Sequence, residues 1–342
     1  MSPHSKLVVT RERVLLSHVN PNSTDNLVCA VDLGGTNLRA ANIDSTGTIH
    51  ERVRNATPKS AEAEAVVNTV AAAVRECEAA ATHRGAQIQI VSVVVPGTVL
   101  FDTGLVVNAP NLNSLQGYKL GPALENALGR SVLLENDANA AGLGEMWQGA
   151  ARGCQTILCL TLGTGVGGGI ILDGRLWRGA DGTAGELGHI TVEPFGSVQC
   201  KCGNTGCLEV YASATAIVRL ARERLAQHPG SRLHSIDQGG LTSEQVFSAA
   251  MGGDELALEV FRTAGVYLGV AMASYINIFN PEMIVIGGGV SAAWEMFARH
   301  AQTEVLRRAF PLPAERCRIV RAECGDDAGL IGAAWLASHN KL

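Results

Sequence analysis

The chain has 342 residues, of which 46% are hydrophobic, and its formal net charge is −5 at pH 7. That length predicts about two domains, and the composition is typical of a folded protein with a large core rather than a disordered one. The acidic balance without a basic tract argues against a nucleic-acid partner, and the lack of an apolar run near ~18 residues argues against a membrane span.

Residues 1–26 form a polar extension, in which VTRERVLLSHV predicts one short helix. The extension lacks the apolar segment and small-residue cleavage site of a signal peptide. The chain also contains nine cysteines, an odd number, which indicates a reducing compartment. We therefore expect a cytoplasmic protein.

The next third of the chain alternates between strand and helix patterns. LVCAVDLGGTNLRAANIDSTGTIHERVR predicts three strands separated by turns, and SAEAEAVVNTVAAAVRECEAAATHRG predicts a helix that stops at Gly85. The β-branched run IQIVSVVVPG predicts a buried strand. SVLLENDANAAGLGEMWQGA predicts a strand that leads directly into a helix.

The segment QTILCLTLGTGVGGGIILDGRLWRG repeats the opening strand–turn–strand pattern. With Asp32 placed on Thr161, the aligned pairs are Leu33 with Leu162, Gly34 with Gly163, and Asp44 with Asp173. Few identities survive, but the repeat indicates two similar domains that face each other. The remainder predicts three helices, a buried strand in MIVIGGG, a further helix, a short strand near CRIVRA and a closing helix, which together indicate an α/β fold.

Three glycine-rich turns follow apolar strands, at residues 32–37, 162–169 and 286–291. Glycine lets backbone amides approach phosphate oxygens, whereas a single such turn would more often be an ordinary tight turn. The stretch GTGVGG (163–168) matches the G-x-G-x-x-G fingerprint, but a strand rather than a helix follows it, so a dinucleotide-binding Rossmann unit is excluded. No P-loop motif occurs either.

A short polar segment contains three cysteines, Cys200, Cys202 and Cys207, and His189 precedes them. A C-x-C pair has poor geometry for a mutual disulfide, and the third cysteine would have no partner. Three thiolates and one imidazole instead match a closed tetrahedral site for structural Zn²⁺. The other six cysteines lie in apolar stretches and are expected in the core.

The motifs DLGGTN, END, GTGVGGG and GELGH…CKCGNTGCLE together resemble the ROK family (repressors, open reading frames and kinases) from Leu27 to the C terminus. That family belongs to the superfamily of actin, the heat-shock 70 chaperones and hexokinases. The resemblance implies two duplicated α/β domains with a nucleotide in the cleft between them. The smaller domain would comprise 27–136 and 327–342, and the larger 137–326 with the zinc loop.

The resemblance further implies an ATP-dependent hexose kinase of the bacterial glucokinase type, with a place in glycolysis. Its catalytic base would be Asp137, although local sequence alone favours an N-cap for the helix that starts near Ala138. The residues implied to bind sugar are Asn111, Asn136, Asp137, Glu186, His189 and Glu209, where a turn-forming role is the alternative for the two asparagines. The residues implied to hold ATP and Mg²⁺ are Asp32, Gly34, Gly35, Thr36, Asn37, Gly163, Thr164, Gly165, Gly167, Gly287 and Gly288. Closure of the domains would exclude water from the reaction.

His189 could serve twice, with one ring nitrogen on zinc and the other on a sugar hydroxyl. Glucose is the favoured substrate, and N-acetylmannosamine, N-acetylglucosamine, allose and fructose are the alternatives. A sugar-responsive transcriptional repressor is a different class of function, but it requires a helix-turn-helix domain that residues 1–26 are too short to form. The family also suggests a homodimer.

Overall fold

The computed structural model describes residues 26–60 and 62–339, so the N-terminal extension with its predicted helix lies outside the described residues. The strands are β1 (Asn26–Leu33), β2 (Asn37–Ile43), β3 (Ile49–Ala56), β4 (Gln87–Val95), β5 (Thr98–Leu100), β6 (Leu105–Asn108), β7 (Val132–Asn136), β8 (Ile157–Leu162), β9 (Val166–Leu172), β10 (Arg175–Leu176), β11 (Met283–Gly287) and β12 (Arg318–Arg321). The α-helices are α1 (Ala63–His83), α2 (Leu120–Leu128), α3 (Asp137–Gln148), α4 (Glu209–Ala212), α5 (Ala214–Arg224), α6 (Ser243–Met251), α7 (Glu255–Phe279), α8 (Trp294–Arg308), α9 (Pro311–Arg316) and α10 (Ala328–His339).

Two five-stranded sheets have the same topology. The first has the order β3-β2-β1-β4-β7 and the second the order β10-β9-β8-β11-β12. In each sheet the first three strands in sequence are antiparallel neighbours, and the last two are added in parallel. The predicted α/β class is therefore confirmed, and the repeat seen in the sequence corresponds to a repeated sheet.

The strand ends that face the cleft carry the glycine turns. In a parallel pair the carboxyl ends lie at one edge of the sheet, so the segments after β1, β4 and β7 gather at one place, as do those after β8 and β11. The central strands are buried apolar runs, since helices cover both faces of each sheet. One core lies between the first sheet and α1 and α2, and the largest core surrounds α5 to α8 on the second sheet.

Helices α3 and α10 pack against each other between the two sheets, α10 on β1 and β4 and α3 on β8 and β9. Glycines make this close approach possible. A Cβ atom at Gly332 would overlap the carbonyl oxygen of Ala140, and one at Gly144 would overlap that of Ala328. The crossing is therefore a contact of backbone on backbone, with no room for a side chain.

Gly332→Ala is expected to lower the free energy of unfolding by about 1–3 kcal/mol, because the helices must separate to admit a methyl group. Chemical denaturation measures this effect. Gly230→Ala is the matched control, since a Cβ atom there meets no atom within 4 Å, and it should change stability by less than about 0.5 kcal/mol. Equal stability of the two variants would contradict the proposed tight crossing.

Among the described residues, one helix, α7, is long enough and apolar enough to cross a membrane, by length and composition alone. The sequence argument that no apolar segment approaches this length was therefore wrong for α7, whose glycines, serine and tyrosines divide an otherwise apolar pattern. Most of its apolar window, 61%, is buried inside the protein, where it packs on α5, α6 and α8.

Candidate functional site

A cleft with a cavity of about 420 Å³ lies between the two sheets. Its walls come from the turn after β1, the segments after β4 and β6, the β7–α3 junction, the β8–β9 turn and the loop 182–189. Thirteen of the predicted site residues line this cavity: Gly34, Gly35, Asn111, Asn136, Asp137, Gly163, Thr164, Gly165, Gly167, Glu186, His189, Glu209 and Gly288. Segments that follow strands of both sheets thus contribute to a single site.

Asp137 is the first residue of α3 and lies at the carboxyl end of β7. The N-cap of α3 is Asn136, whose side chain accepts a hydrogen bond of 3.0 Å from the backbone N–H of Asn139. The interpretation of Asp137 as the N-cap is therefore wrong by one residue. Because Asn136 has that role, the Asp137 carboxylate remains available to the cleft.

One oxygen of the Asp137 carboxylate, Oδ1, accepts hydrogen bonds from the backbone N–H of Ala138 at 2.8 Å and from Asn136 Nδ2 at 3.2 Å. The carboxylate is desolvated by its surroundings, and Asp32 adds a like charge. These effects raise the pKa of Asp137 to about 7, against the smaller lowering by its hydrogen bonds. A carboxylate with a pKa near neutrality is well matched to accept a proton.

The buried carboxylate of Glu135 stabilises the β7–α3 junction through hydrogen bonds. Its Oε1 accepts from the backbone N–H of Asn136 and from Asn139 Nδ2, each at 2.9 Å, and its Oε2 accepts from Arg178 Nε at 2.8 Å. The Arg178 guanidinium also lies 4.2 Å from the centre of the Phe101 ring. This network fixes the backbone that carries Asp137.

The first glycine turn adjoins two cavities. Gly34 and Gly35 face the cleft, where Asn111 lies against Gly35. Asp32, Thr36 and Asn37 instead line a neighbouring cavity of about 320 Å³ with Gly34, Arg39, Arg54 and Asp326. The predicted ATP and Mg²⁺ residues of this turn are therefore divided between two adjacent spaces.

Asp32 forms an ion pair with Arg39 that the sequence analysis did not predict. Burial raises the pKa of Asp32, and the Arg39 guanidinium opposes this shift only in part. The two residues face each other in the register of the β1–β2 pair, so the pairing follows from the strand alignment. Asp32 is thus a buried carboxylate at the end of a strand, directly before the glycine turn.

The second glycine turn joins β8 to β9. The backbone N–H of Gly163 donates to the carbonyl oxygen of Gly165 at 2.9 Å, and that of Val166 donates to Glu209 Oε2 at 3.0 Å. Among the described residues, the backbone N–H groups of Thr164 and Gly165 have no protein acceptor. These two amides and the exposed Thr164 hydroxyl can therefore bind an anion.

The third glycine turn follows β11. Gly287 is the last residue of that strand, paired with Thr161, and it does not line either cavity. Gly288 lies against the backbone of Leu162 and faces the cleft. Of the two predicted residues, the structure places only Gly288 at the site.

Glu186 and His189 lie at the opposite wall of the cleft, with 3.7 Å between Glu186 Oε2 and His189 Nε2. Thr98, at the start of β5, approaches Glu186 from the first sheet, with its Oγ1 at 3.4 Å from Glu186 Oε1. The other ring nitrogen of His189, Nδ1, lies 3.6 Å from Cys200 Sγ. The two nitrogens of one imidazole therefore face two different environments.

The four donors His189, Cys200, Cys202 and Cys207 come together as the sequence predicted, with all ligand atoms within 4.8 Å of one another. The Sγ atoms of Cys202 and Cys207 are 3.7 Å apart. Ligands at ~2.3 Å from a tetrahedral Zn²⁺ would be about 3.8 Å apart, so the chemistry and the spacing of the donor set fit that ion. Burial raises the pKa of the Cys200 thiol to about 12, a cost that a bound cation would offset.

Sequence reasoning missed several residues of the cleft. They are Pro96, Gly97, Thr98, Val99 and Asn108, together with the loop 182–185. A signal was present for the first group, because Pro96 and Gly97 directly follow the buried strand β4 that runs parallel to β1. The carbonyl oxygen of Gly97 accepts from Asn136 Nδ2 at 2.8 Å, which connects this turn to the β7–α3 junction.

Comparison with known proteins gives close relatives over nearly the whole chain. The sequence matches the ROK family over residues 28–340. The glucokinase of Halalkalibacterium halodurans is 39% identical over 322 residues, which are 93% of this chain and 97% of that protein. A solved ROK family glucokinase from Streptomyces griseus, in complex with glucose and AMPPNP, is 34% identical, with a TM-score of 0.76 and coverage of 91% of this chain and 98% of that one. A solved ROK family transcriptional regulator is 29% identical, with a TM-score of 0.83 and coverage of 92% of this chain and 78% of that one. Kinases and regulators therefore share this fold, and the fold alone does not assign the activity.

Proposed function

This chain belongs to the ROK family, and we propose that it is a glucokinase, which transfers the γ-phosphoryl group of ATP to the 6-hydroxyl of glucose. The observation that carries this proposal is the position of Asp137 in the cleft, between the glycine turns after β1 and β8 and the wall that carries Glu186 and His189. Glucokinases at 34–39% identity, one of them a structure with glucose and AMPPNP, support the substrates.

In the proposed mechanism Asp137 accepts the proton of the 6-hydroxyl as the phosphoryl group is transferred in line. Phosphoryl transfer depends mainly on positioning and charge stabilisation, so the base need only be correctly placed and deprotonated. Asn136 holds this carboxylate in place through its Nδ2. Asn111, Glu186, His189 and Glu209 are proposed to bind the sugar hydroxyls, which suit carboxylate, amide and imidazole partners.

The nucleotide is proposed to lie along the glycine turns. The amides of Thr164 and Gly165, and those of Gly35 and Thr36 in the first turn, would bind phosphate oxygens, while Gly288 would lie against adenosine. Asp32 would hold Mg²⁺ through water, and the ion would neutralise charge on the phosphates. Arg39, its ion-pair partner, would keep Asp32 in position.

Zinc is proposed for the cluster of His189 and the three cysteines, as a structural ion with no open coordination position. With His189 Nδ1 on the side of the cluster and Nε2 toward Glu186, the zinc ligand would also orient a sugar contact. The ion would thus stabilise the wall of the sugar site.

We also propose the domain boundaries of the sequence analysis, 27–136 with 327–342 and 137–326. The packing of α10 on the first sheet and of α3 on the second supports them. A homodimer and a cytoplasmic location are further proposals, the latter supported by the nine cysteines of the chain, all free in the described structure.

A coupled assay of ADP release over a panel of hexoses tests the proposed function. Glucose should give the highest kcat/KM, above N-acetylmannosamine, N-acetylglucosamine, allose and fructose. Turnover with glucose no higher than without sugar would refute the assignment. Sugar-reversible binding to promoter DNA without turnover would instead support a regulator, the function of the 29% identical relative.

The rate should depend on pH because the proposed base must be deprotonated. With the pKa of Asp137 raised to about 7, kcat/KM should fall about tenfold per pH unit below that value and level off above it. Initial rates between about pH 5.5 and 8.5, with coupling enzymes in excess at each pH, measure the profile. A constant kcat/KM from about pH 5.5 to 7 would contradict the raised pKa.

A further inference from the structure

The β8–β9 turn is attached to the segment that follows the last cysteine of the cluster. Glu209 Oε2 accepts from the Val166 N–H at 3.0 Å. The Gly163 carbonyl accepts from the Ala214 N–H at 2.8 Å, and the Thr164 carbonyl accepts from Thr215 Oγ1 at 2.8 Å. Three hydrogen bonds from α4 and α5 therefore fix the shape of the turn.

Glu209 occupies a central position among these contacts. It begins α4 two residues after Cys207, it lines the cleft, and its Oε1 lies 3.7 Å from Cys200 Sγ. A Cβ atom at Gly165 would overlap Glu209 Oε2, so the turn admits this carboxylate only because residue 165 is glycine. One side chain thus contacts the sugar side of the cleft, the cysteine cluster and the turn.

The backbone amides show what the contact achieves. The Gly163 and Val166 N–H groups are taken by protein acceptors, which leaves the Thr164 and Gly165 amides for a ligand. Without Glu209 the Val166 amide would lose this acceptor. The turn would then lose a contact that keeps the Val166 amide bonded to protein while the Thr164 and Gly165 amides stay available to a ligand. An ordered pair of free amides binds an anion better than a mobile pair of amides, because the ordered pair loses less conformational entropy on binding.

We propose that Glu209 is a positioning residue for the nucleotide, in addition to its proposed contact with sugar: through Val166 it holds the β8–β9 turn in the shape that binds phosphate. This inference rests on the proposed function. By linkage, a sugar that orders the Glu209 carboxylate raises the affinity for nucleotide, and nucleotide raises the affinity for sugar by the same factor.

The experiment measures binding of Mg·ADP by calorimetry in the absence of sugar, so that loss of a sugar contact cannot affect the result. Glu209→Ala should weaken ADP binding about tenfold, the effect of losing one hydrogen bond to a charged acceptor. Glu209→Gln keeps an oxygen that can accept from Val166 and should stay within about twofold of wild type. Glu209→Asp, whose shorter side chain cannot reach Val166, should resemble the alanine variant.

Thr183→Ala is the matched control, because Thr183 lines the same cleft but hydrogen-bonds only to Asp181 among the described residues. It should leave ADP affinity unchanged. Metal analysis accompanies each variant, and the zinc content of the Glu209 variants should equal that of wild type.

Equal ADP affinity of wild type, Glu209→Gln and Glu209→Asp would overturn the inference, even if the alanine variant failed to fold. Loss of metal in proportion to loss of ADP binding would also overturn it, since Glu209 would then act through the cysteine cluster. A wild-type protein that binds no ADP would refute the proposed kinase function itself.

Discussion

Asp137→Asn is expected to lower kcat by a factor of about 10²–10⁴, the usual contribution of a general base. Asparagine keeps the size of the side chain and can still accept from the Ala138 N–H, but it cannot take up a proton. The KM for glucose should change little, because the hydrogen bonds that hold the junction are retained: the Glu135 carboxylate still accepts from the Asn136 N–H, and Asn136 Oδ1 from the Asn139 N–H. Steady-state kinetics with the coupled assay measure both constants.

Stability provides the control for this variant. The folded pKa of Asp137 is raised to about 7 from an ordinary value of 3.8, so its ionisation destabilises the folded state as pH rises from about 4 to 7. Above pH 7 Asp137 is ionised in the folded state, and its full destabilising effect on folding is present. Asp137→Asn should therefore unfold at a higher temperature than wild type at pH 8. A kcat within a factor of about three of wild type would show that another group takes the proton.

Cys202→Ala is expected to abolish stoichiometric zinc binding. It should also raise the KM for glucose by about tenfold or more, because the groups around a metal that orient a functional side chain typically contribute that much. Three donors would remain, and the open position would admit water instead of a thiolate. The loss should reach the sugar site, since His189 and Glu209 lie against Cys200. Plasma emission spectrometry of the purified protein measures the metal, and the coupled assay measures KM.

Cys77→Ala is the matched control. Cys77 is a fully buried cysteine of α1, in the core of the first sheet and outside the cluster. The same substitution there should cost stability through a small cavity but leave the zinc content at one ion per chain. Unchanged zinc content in Cys202→Ala would mean that Cys202 is not a ligand.

The regular parts of the fold could be predicted because their sequence patterns are strong. The β-branched run of β4, the glycine that follows α1 and the repeated strand–turn–strand units each depend on local physics that tertiary contacts did not override. The hairpin β5–β6 and the helices α2 and α9 were not predicted. The two strands have only three and four residues and both helices are short, so their sequences show too little periodicity.

The site could be predicted only where a motif spans it. The motifs indicated the glycine turns, Asp137 and the zinc donors, and the structure brings most of these to one cleft. Thr98 and Arg39 were missed because their partners, Glu186 and Asp32, are set by sheet register and by the approach of the two sheets. The role of Asn136 as the N-cap was also missed, because adjacent Asn and Asp residues are both good caps and sequence does not rank them.

The crossing of α3 and α10 has a mechanical consequence for catalysis. Ala140, whose carbonyl oxygen lies under Gly332, is three residues from Asp137 along α3, about 4.5 Å at the rise of a helix. If the two sheets rotate about this crossing, Asp137 lies near the fulcrum and moves by less than about 1 Å in a rotation of about 10°. The rims of the cleft, on much longer lever arms, would move several times farther. The cleft can thus open for exchange of substrates and products while the base keeps its place.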